Sequence, residues 1–434
     1  MQKTILQKIL AILARAMIRK YKPKIIGITG SVGKTSTKEA IFAVLKTKYS
    51  VRTSEKNYNN EIGLPLTILG ISHHGRNMLK WCSAFFGVFF SVFLRQNKYP
   101  EILVLEYGID RPRDMNFLLN IAKSDIGVVT AIGDIPVHVE YFKSPEDLIK
   151  EKAKLIKFLP PDGFAVLNRD DSAVYDMKEK TKARVITYGF KEDAEIKISN
   201  YHLQIVKDAT IGDVPEGITF KIERGSHLVP FRLASCFGEP QAYASAAATA
   251  VGVVLGMNLV EVSDALRDFV PPPGRLRLIK GIKHSYIIDD TYNAAPVAMQ
   301  KALDTLVSLP GRRKIAVLGD MLEIGKYTET AHRAIGSRIP GVADILITVG
   351  VRAKFIAEEA LAVIKPMSRE KVMSFDDARS AGRALDSILR AGDLVLVKGS
   401  QGMRMEFVVE EIMAEPERAS ELLVRQEAYW KNKL

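Results

Sequence analysis

The sequence has few cysteines and no apolar run long enough to span a bilayer. Its 434 residues include only Cys82 and Cys236, which lie far apart and lack the close spacing of zinc ligands. Two such cysteines argue against a disulfide framework and against a zinc site, and they fit a reducing compartment. Internal repeats and low-complexity tracts are also absent from the sequence. This pattern excludes a small disulfide-stapled domain and favours an intracellular globular protein.

The charge balance is basic, with 62 Lys and Arg residues against 50 Asp and Glu and a net charge of +12. Such a balance suits nucleic acid, a membrane surface or anionic small molecules. Because the basic residues are scattered and no basic run is interleaved with aromatic residues, we expect no nucleic-acid partner. A chain of 434 residues is also too long for one compact core, so two or three domains are expected.

Two segments have the composition of helices that meet an apolar environment. Residues 1–20 are basic and have helical periodicity, which is expected to place on one face Ile5, Ile9, Ile12, Leu13, Ala16 and Met17. Without a long apolar stretch or a clear cleavage site, a signal peptide is not predicted. The helix either packs on the protein or lies on a membrane surface.

The second segment, residues 81–94, is strongly apolar and too short to span a bilayer. Four basic residues flank it: Arg76, Lys80, Arg95 and Lys98. Two interpretations remain open, a buried or lid helix and a surface that meets a membrane or a partner. Peripheral membrane contact through residues 81–94 is therefore one of our hypotheses.

Apolar runs separated by helical patterns predict an α/β fold. Strand-like runs at 24–29, 102–105, 126–130 and 165–167 alternate with helices, as in a parallel sheet. Residues 195–235 change to short antiparallel strands, and an Ala-rich helix follows at 242–255. The Pro-Pro-Pro-Gly run at 271–274 cannot continue a helix or a central strand, so it predicts a domain boundary.

Beyond that boundary, strand-like runs at 286–288, 314–318, 345–349 and 394–397 predict a second α/β domain with Rossmann-like alternation. We therefore expect an N-terminal helix at 1–22, a central domain at 23–270 and a C-terminal domain at 271–434. The central domain begins with the strand at 24–29, which leads directly into a glycine-rich loop.

This loop precedes a helical pattern at 37–46 and consists of Thr29, Gly30, Ser31, Val32, Gly33, Lys34, Thr35 and Ser36. Glycines let backbone N–H groups approach phosphate oxygens, and a helix N-terminus adds positive potential. Lys34 is expected to reach the β- and γ-phosphates of a nucleotide, and the Thr35 hydroxyl to bind Mg²⁺. The strict phosphate-loop pattern requires glycine where Ile28 stands, so the loop alone leaves a purely structural turn open.

The loop and four later segments together resemble the Mur ligase family, to which the folylpolyglutamate synthetases are related. The segments are NYNNEIG at 57–63, DDTYNAAP at 289–296, LGDMLEIG at 318–325 and KGSQGMRM at 398–405. Their order resembles the type that adds D-alanyl-D-alanine to a UDP-muramoyl-tripeptide. The resemblance implies a central ATP-binding domain, a Rossmann-like C-terminal domain, and ATP and Mg²⁺ as cofactors. It also implies a small-molecule acid and amine as substrates, a role in peptidoglycan synthesis, and a cytoplasmic enzyme.

The resemblance also assigns metal-binding roles. Glu106 ends an apolar strand, where open α/β sheets place ligand groups, and resembles the family's Mg²⁺-binding glutamate. His138 resembles the histidine that holds a second Mg²⁺ with substrate. Lys152 matches a carbamoylated lysine, whose carboxylate suits a site with two cations better than an ammonium does. Several lysines within 150–157 leave this last assignment open by one helical turn.

The remaining implied contacts belong to nucleotide and substrate. Arg275 and Asp290 resemble residues that bind ATP phosphates and ribose, and Asn293 resembles another nucleotide contact. Lys398 and Arg404 are expected to meet the amine's carboxylate or the acyl-phosphate, for which both residue types are suited. The remaining expected substrate contacts are Asn60, Asp320 and Glu323.

Two departures from the family pattern leave alternatives open. The phosphate loop begins by residue 29, so we expect only the tail of the family's N-terminal UDP-sugar domain. Pro240 and Ala244 stand where the family usually has His and Asn beside adenine. The alternatives are the same chemistry on another acid–amine pair without a UDP handle, or a non-catalytic nucleotide-binding subunit. The joint presence of the metal-site residues argues against the latter.

Overall fold

A computed structural model describes residues 2–54, 58–72, 78–93, 99–208, 212–427 and 430. Some residues of the predicted motifs and flanks lie outside these ranges: Asn57, Arg76, Leu94, Arg95 and Lys98. The described chain folds around two sheets flanked by helices, so the predicted α/β class is confirmed.

The first sheet has nine strands, in the order β2-β3-β1-β4-β5-β6-β7-β8-β9. The strands are β1 Lys24–Thr29, β2 Val51–Thr53, β3 Ile102–Glu106, β4 Ile126–Val129, β5 Phe164–Asn168, β6 Arg184–Gly189, β7 Ile196–Asp208, β8 Gly212–Arg224 and β9 His227–Ala234. The pairings from β2 to β7 are parallel, and β7, β8 and β9 pair antiparallel as predicted. Because β1 is central and almost wholly buried, the loop after it starts from a rigid strand end.

The second sheet has six strands, in the order β10-β11-β15-β12-β13-β14. They are β10 Arg277–Gly281, β11 Ser285–Asp290, β12 Arg313–Gly319, β13 Ile345–Val349, β14 Val372–Phe375 and β15 Asp393–Lys398. Only β10 pairs antiparallel, with β11. The four strands predicted from apolar runs in this part are β11, β12, β13 and β15.

Helices cover both sheets. They are α1 Gln2–Tyr21, α2 Lys34–Leu45, α3 Gly63–Leu69, α4 Met78–Phe93, α5 Asp114–Ile121, α6 Pro145–Lys157, α7 Ser172–Tyr175, α8 Glu239–Val254, α9 Leu259–Leu266, α10 Pro296–Ser308, α11 Thr328–Gly336, α12 Lys354–Ala362, α13 Ala378–Ile388, α14 Glu406–Ile412 and α15 Ala419–Leu422. The helix after the glycine-rich loop begins at Lys34, three residues earlier than the periodicity predicted. Lys34 is therefore the first residue of a helix.

The N-terminal helix α1 packs on the first sheet with a different face from the one predicted. Leu10, Ala14 and Met17 are buried in a core that also contains residues of α3 and β3. Ile5, Ile9 and Ile12 are exposed, so the prediction that they share a face with Met17 was wrong. Apolar residues occur on both sides of this helix, and periodicity alone did not separate the two stripes. In the described part of the chain, no helix is both long and apolar enough to cross a bilayer.

Gly27 in the middle of β1 allows helix α6 and Tyr107 to approach the sheet closely. A Cβ atom at this position would lie 2.2 Å from Ser124 Oγ, 2.9 Å from Tyr107 Cε2 and 3.0 Å from Leu155 Cδ1. The Ser124 hydroxyl donates to the Tyr107 hydroxyl, which itself donates to the carbonyl of Ala122. A side chain at residue 27 would disturb this buried pair of hydrogen bonds.

We therefore predict that Gly27→Ala lowers the free energy of unfolding by about 1–3 kcal/mol, as overpacking does elsewhere. Urea denaturation followed by circular dichroism measures the change. Gly341→Ala is the matched control, because a Cβ there meets no atom within 4 Å, and surface changes usually stay within about 0.5 kcal/mol. Equal stability of the two variants would show that β1 tolerates the extra methyl group.

Candidate active site

The glycine-rich loop is anchored to the segment that follows β4. The backbone N–H groups of Ser31 and Val32 donate to the carbonyl of Ala131, at 2.7 and 3.0 Å. Gly30 has a φ of 145°, and a Cβ there would lie 2.0 Å from Thr130 Oγ1. The loop therefore requires a residue without a side chain at position 30.

The ends of the loop are also fixed. Thr29 is buried, and its hydroxyl donates to the carbonyl of Tyr107 at 3.1 Å. Gly33 adopts a φ of 87° immediately before α2, a conformation that favours glycine. Thr35 and Ser36 are buried in the first turn of that helix. The helix N-terminus thus opens directly onto the loop, as a phosphate-binding site requires.

Two lysines donate to the same carbonyl of this loop. The Nζ atoms of Lys34 and Lys152 each lie 3.0 Å from the oxygen of Gly30. Burial and the nearby Lys34 ammonium lower the pKa of Lys152 to about 7. Burial also lowers the pKa of Lys34, while the Glu106 carboxylate opposes that shift. The site thus concentrates two basic groups, one of which loses its proton close to neutral pH.

The structure distinguishes Lys152 from the other lysines of α6. Lys150 and Lys157 are exposed, and Lys154 pairs with Glu151 at 2.7 Å. Lys152 is almost fully buried, and its ammonium group reaches the loop that follows β1. Among the lysines of 150–157, Lys152 is therefore the one that contacts the phosphate-type loop.

A carboxylate and a hydroxyl meet beside the loop. Glu106 is buried at the end of β3, with one carboxylate oxygen 3.3 Å from Thr35 Oγ1. Its other oxygen accepts from the side-chain amide of Asn59 at 3.1 Å. Arg275 follows the proline run, and its Nη2 atom lies at a distance of 3.3 Å from the same Thr35 hydroxyl. The Arg275 guanidinium also stacks over the ring of Tyr292. Residues from before and after the proline run therefore share one site.

His138 forms a second contact between these two parts of the chain. It adopts a positive φ of 71° before a short 3₁₀ turn, Val139–Tyr141. Its Nδ1 atom lies 2.9 Å from a carboxylate oxygen of Glu323, and its Nε2 atom 3.3 Å from Asp110. The contact with His138 lowers the pKa of Glu323. Two predicted site residues from different motifs are thus brought together.

The residues around the loop are suited to a nucleotide with Mg²⁺. Ser31 Oγ and Arg275 Nε are buried and have no hydrogen-bond partner among the described residues, although buried polar groups normally have one. The Thr35 hydroxyl and Glu106 carboxylate are the oxygen ligands that Mg²⁺ prefers. In the described ranges, no three His, Cys, Asp or Glu side chains form a metal cage.

Three residues that were predicted to contact nucleotide or substrate make hydrogen bonds and an ion pair within the protein, close to Arg275 in the chain or in the fold. Asp290 accepts from the backbone N–H of Leu276 at 3.3 Å and pairs with Lys398 at 2.6 Å. Lys398 is buried and also donates to the carbonyl of Asn293 at 2.8 Å. The side-chain oxygen of Asn293 accepts from the backbone N–H groups of Ala294 and Gln401. Their predicted ligand contacts remain predictions.

The other predicted substrate residues are also placed in structural bonds. Asp320 is buried and accepts from the backbone N–H of Ala353 at 2.7 Å. Arg404 donates to buried Glu406 and to the carbonyl of Trp430. Asn60 accepts from the N–H groups at the start of α3. The structure does not bring these three side chains to the glycine-rich loop.

Sequence reasoning missed two residues of this site. Asn59, next to the predicted Asn60, is the asparagine that contacts Glu106. Asp110 contacts His138 and stabilises the charged forms of Lys34 and Lys152. Its position four residues after Glu106, beyond a strand end, was a signal that could have identified it.

Comparisons with known proteins agree with the motifs. The Mur ligase middle domain matches residues 28–79 and 87–251, and the Mur ligase glutamate ligase domain matches residues 274–401. The chain is 31% identical over 408 residues to the UDP-N-acetylmuramoyl-tripeptide–D-alanyl-D-alanine ligase of Bacillus subtilis, covering 93% of this chain and 79% of that protein. The corresponding Synechocystis ligase is 28% identical over 401 residues, covering 92% and 76%.

A solved structure shows the same likeness in three dimensions. The MurF ligase of Thermotoga maritima, in complex with ADP, superposes with a TM-score of 0.75 at 28% identity, covering 95% of this chain and 84% of that one. The resemblance thus extends over both sheets and the site between them. On the combined evidence of domain matches, sequence identity and fold, the chain belongs to the Mur ligase family.

Proposed function

We propose that the protein is an ADP-forming ligase that adds D-alanyl-D-alanine to a muramoyl-tripeptide during peptidoglycan precursor synthesis. Members of its family are ATP-dependent ligases that form carbon–nitrogen bonds and use Mg²⁺. The relatives named above carry the D-alanyl-D-alanine ligase activity in their names. A cytoplasmic location, where ATP is available, and a contribution to cell-wall formation and cell shape follow from the same proposal.

The observation that carries the proposal is the convergence of cations and oxygen ligands at the glycine-rich loop. Lys34 contacts the loop carbonyl of Gly30, Arg275 contacts the Thr35 hydroxyl that meets Glu106, and the two cations come from the two parts of the chain. Cations fixed in this way suit a phosphate chain, because they need no rearrangement as negative charge develops. A purely structural loop would not require an arginine from beyond the proline run whose buried Nε atom has no partner among the described residues.

The residues divide the work of the reaction. Bound ATP with Mg²⁺ supplies the phosphoryl group that activates a carboxylate for attack by an amine. Lys34 and Arg275 would bind the phosphates, while Thr35 and Glu106 would hold the metal. A carbamate on Lys152, together with His138, would hold a second Mg²⁺ ion. The Glu323–His138 contact keeps the two parts of the chain together, which helps exclude water from a reactive acyl-phosphate.

The proposal includes a division into an N-terminal helix at 1–22, a central ATP-binding domain at 23–270 and a C-terminal domain at 271–434. Separation of the two sheets by the proline run supports this division. Arg275 lies immediately after the run and 3.3 Å from Thr35, so the two domains would close on each other at the phosphates. Such closure is common where a site must be shielded from water.

The proposed reaction is tested by measuring ADP release with UDP-muramoyl-tripeptide, D-alanyl-D-alanine and MgATP, and by mass spectrometry of the product. We expect the pentapeptide product and ADP only when all three substrates are present. ADP release with a different acid–amine pair, and none with this one, would contradict the substrate assignment. Absence of ADP release with every pair tested would contradict catalysis itself.

Lys34→Ala is predicted to lower ADP formation by at least about a hundredfold, the usual minimum for losing a preorganised group that stabilises transition-state charge. The fold should be retained, because among the described residues the Lys34 side chain donates only to the loop carbonyls of Gly30 and Ser31. Lys157→Ala, an exposed lysine on α6, is the control and should turn over normally. Normal turnover of Lys34→Ala with unchanged ATP affinity would contradict the phosphate-binding assignment.

We further predict that Lys152 carries a carbamate in the active enzyme. A buried, readily deprotonated amine adds CO₂, releasing one proton and leaving a carboxylate beside the Lys34 ammonium. With ¹³C-bicarbonate, wild type and Lys157→Ala should show a carbamate carbon resonance that Lys152→Ala lacks. Lys152→Ala should be nearly inactive, and short carboxylates such as formate or acetate should restore part of its activity. Full activity without added carboxylate would rule the carbamate out.

A further inference from the structure

The exposed face of α1 is apolar in a way that the ligase reaction does not explain. Ile5, Ile9 and Ile12 follow helical spacing and are 51%, 41% and 57% exposed. The opposite face of the helix is buried in the protein core through Leu10 and Met17. Exposure of three large aliphatic side chains in one stripe is therefore not needed to hold the helix in place.

Two neighbouring helices also expose apolar side chains. Both α4 and α5 pack against α1. On α4, Phe86 is 65% exposed, and its ring contacts that of the half-exposed Phe90 edge to face. On α5, Phe117 shares with Ile12 a groove of about 350 Å³. We call the exposed apolar residues of these three helices the apolar face; they are Ile5, Ile9, Ile12, Phe86, Phe90 and Phe117.

Two basic side chains lie beside the apolar face. Lys8 and Arg15 line the same groove as Ile12 and Phe117. In sequence, residues 2–20 and 71–98 contain nine lysines and arginines and no aspartate or glutamate. At the chain's average of 50 acidic residues in 434, these 47 positions would contain about five. The absence of acidic residues is thus a local feature of these two segments and not of the whole chain.

We propose that the apolar face binds the surface of an anionic lipid bilayer. Insertion of aliphatic and aromatic side chains below the headgroups, with lysine and arginine at headgroup level, is the arrangement of helices that lie on membranes. Each basic side chain near such a surface strengthens binding by about fivefold, the equivalent of roughly 1 kcal/mol. A protein partner is the less suitable occupant, because the core of protein interfaces is depleted of charged residues, and here Lys8 and Arg15 line the same groove as Ile12 and Phe117.

This proposal is independent of which acid and amine the enzyme joins. It concerns where in the cell the protein is located. It also assigns a membrane-binding role to residues 1–20 and 81–94, for which the sequence left open either packing on the protein or contact with a membrane. Burial of Trp81 and Val88 attaches α4 to the protein, while Phe86 remains available to lipid. Helix α4 is thus packed against the protein on one side and exposed on the other. The buried-helix interpretation describes the first side, and the membrane-surface interpretation describes the second.

The test is co-sedimentation of the full chain with vesicles of phosphatidylglycerol and, separately, of phosphatidylcholine. We expect binding to the anionic vesicles, at least tenfold weaker binding to the neutral ones, and loss of binding at about 1 M salt, where the Debye length falls to about 3 Å. Ile5→Gln/Ile9→Gln/Ile12→Gln and Lys8→Glu/Arg15→Glu should each weaken binding at least tenfold. Phe86→Gln provides an independent change on α4 and should also weaken it.

All substituted side chains are at least partly exposed, so the variants should retain the thermal unfolding midpoint of wild type. Val351→Gln/Ile364→Gln is the matched control, since these side chains are 73% and 100% exposed on the C-terminal part of the chain. Its binding should equal that of wild type. Failure of the wild-type chain to bind phosphatidylglycerol, or equal binding to both lipids, would overturn the proposal.

A protein-binding role would give a different result. If the three Ile→Gln changes dissociate an oligomer seen by analytical ultracentrifugation and leave vesicle binding unchanged, the apolar face is a contact between copies of the chain. That outcome also overturns the proposal. Should the triple variant unfold, the Lys8→Glu/Arg15→Glu and Phe86→Gln variants still decide the question, because neither replaces a buried residue.

Discussion

The active site depends on one backbone carbonyl, that of Gly30, which accepts hydrogen bonds from Lys34 and Lys152. Two ammonium groups on one oxygen repel each other, and in a buried site this repulsion adds to the cost of desolvation. Burial, and to a smaller extent the Lys34 ammonium, lower the pKa of Lys152 to about 7. Gly30 makes the arrangement possible because any side chain at that position would collide with Thr130. The loop proposed to bind phosphate thus also favours the neutral amine of Lys152, and only a neutral amine can add CO₂ to form a carbamate.

The part of the chain beyond the proline run contributes Arg275 to the glycine-rich loop, and two carboxylates at the end of β11 support that arginine. Asp289 accepts from the N–H of Gly274, and burial raises its pKa to about 6. Asp290 accepts from the N–H of Leu276 and is neutralised by Lys398. These two carboxylates hold the residues on either side of Arg275. Because buried charges are costly unless paired, removing Lys398 would leave Asp290 unpaired and loosen the arginine indirectly. A loss of activity on mutating Lys398 would therefore not by itself establish substrate contact.

Features that depend mainly on residues close together in the sequence, such as buried strands and the glycine-rich loop, could be predicted from the sequence. Apolar runs identified β1, β3, β4 and β5 because central parallel strands are buried on both faces, and the glycine-rich loop identified the phosphate site because its conformation needs glycine. Short or partly exposed strands such as β2 and β14 carried no such run. The roles of Asn59 and Asp110 depend on Glu106 and His138, which approach them only in the fold. The face of α1 that is buried also depended on tertiary contacts, since two apolar stripes of similar strength occur on that helix.

The apolar face and the active site belong to the same part of the protein, and a short series of contacts connects them. The side chain of Gln7 on α1 donates to Glu61 at 3.0 Å, Asn60 caps the start of α3, and Asn59 contacts Glu106. The energetic coupling between membrane binding and the active site through these contacts cannot exceed the energy of the weakest contact. A single partly exposed hydrogen bond contributes about 0.5–1.5 kcal/mol, so membrane binding could change the affinity of the site by at most about tenfold through it. Attachment to a bilayer would therefore act mainly by placing the enzyme near other membrane-bound components. The active site itself would stay nearly unchanged, because its geometry is fixed by the buried strands β1, β3 and β4.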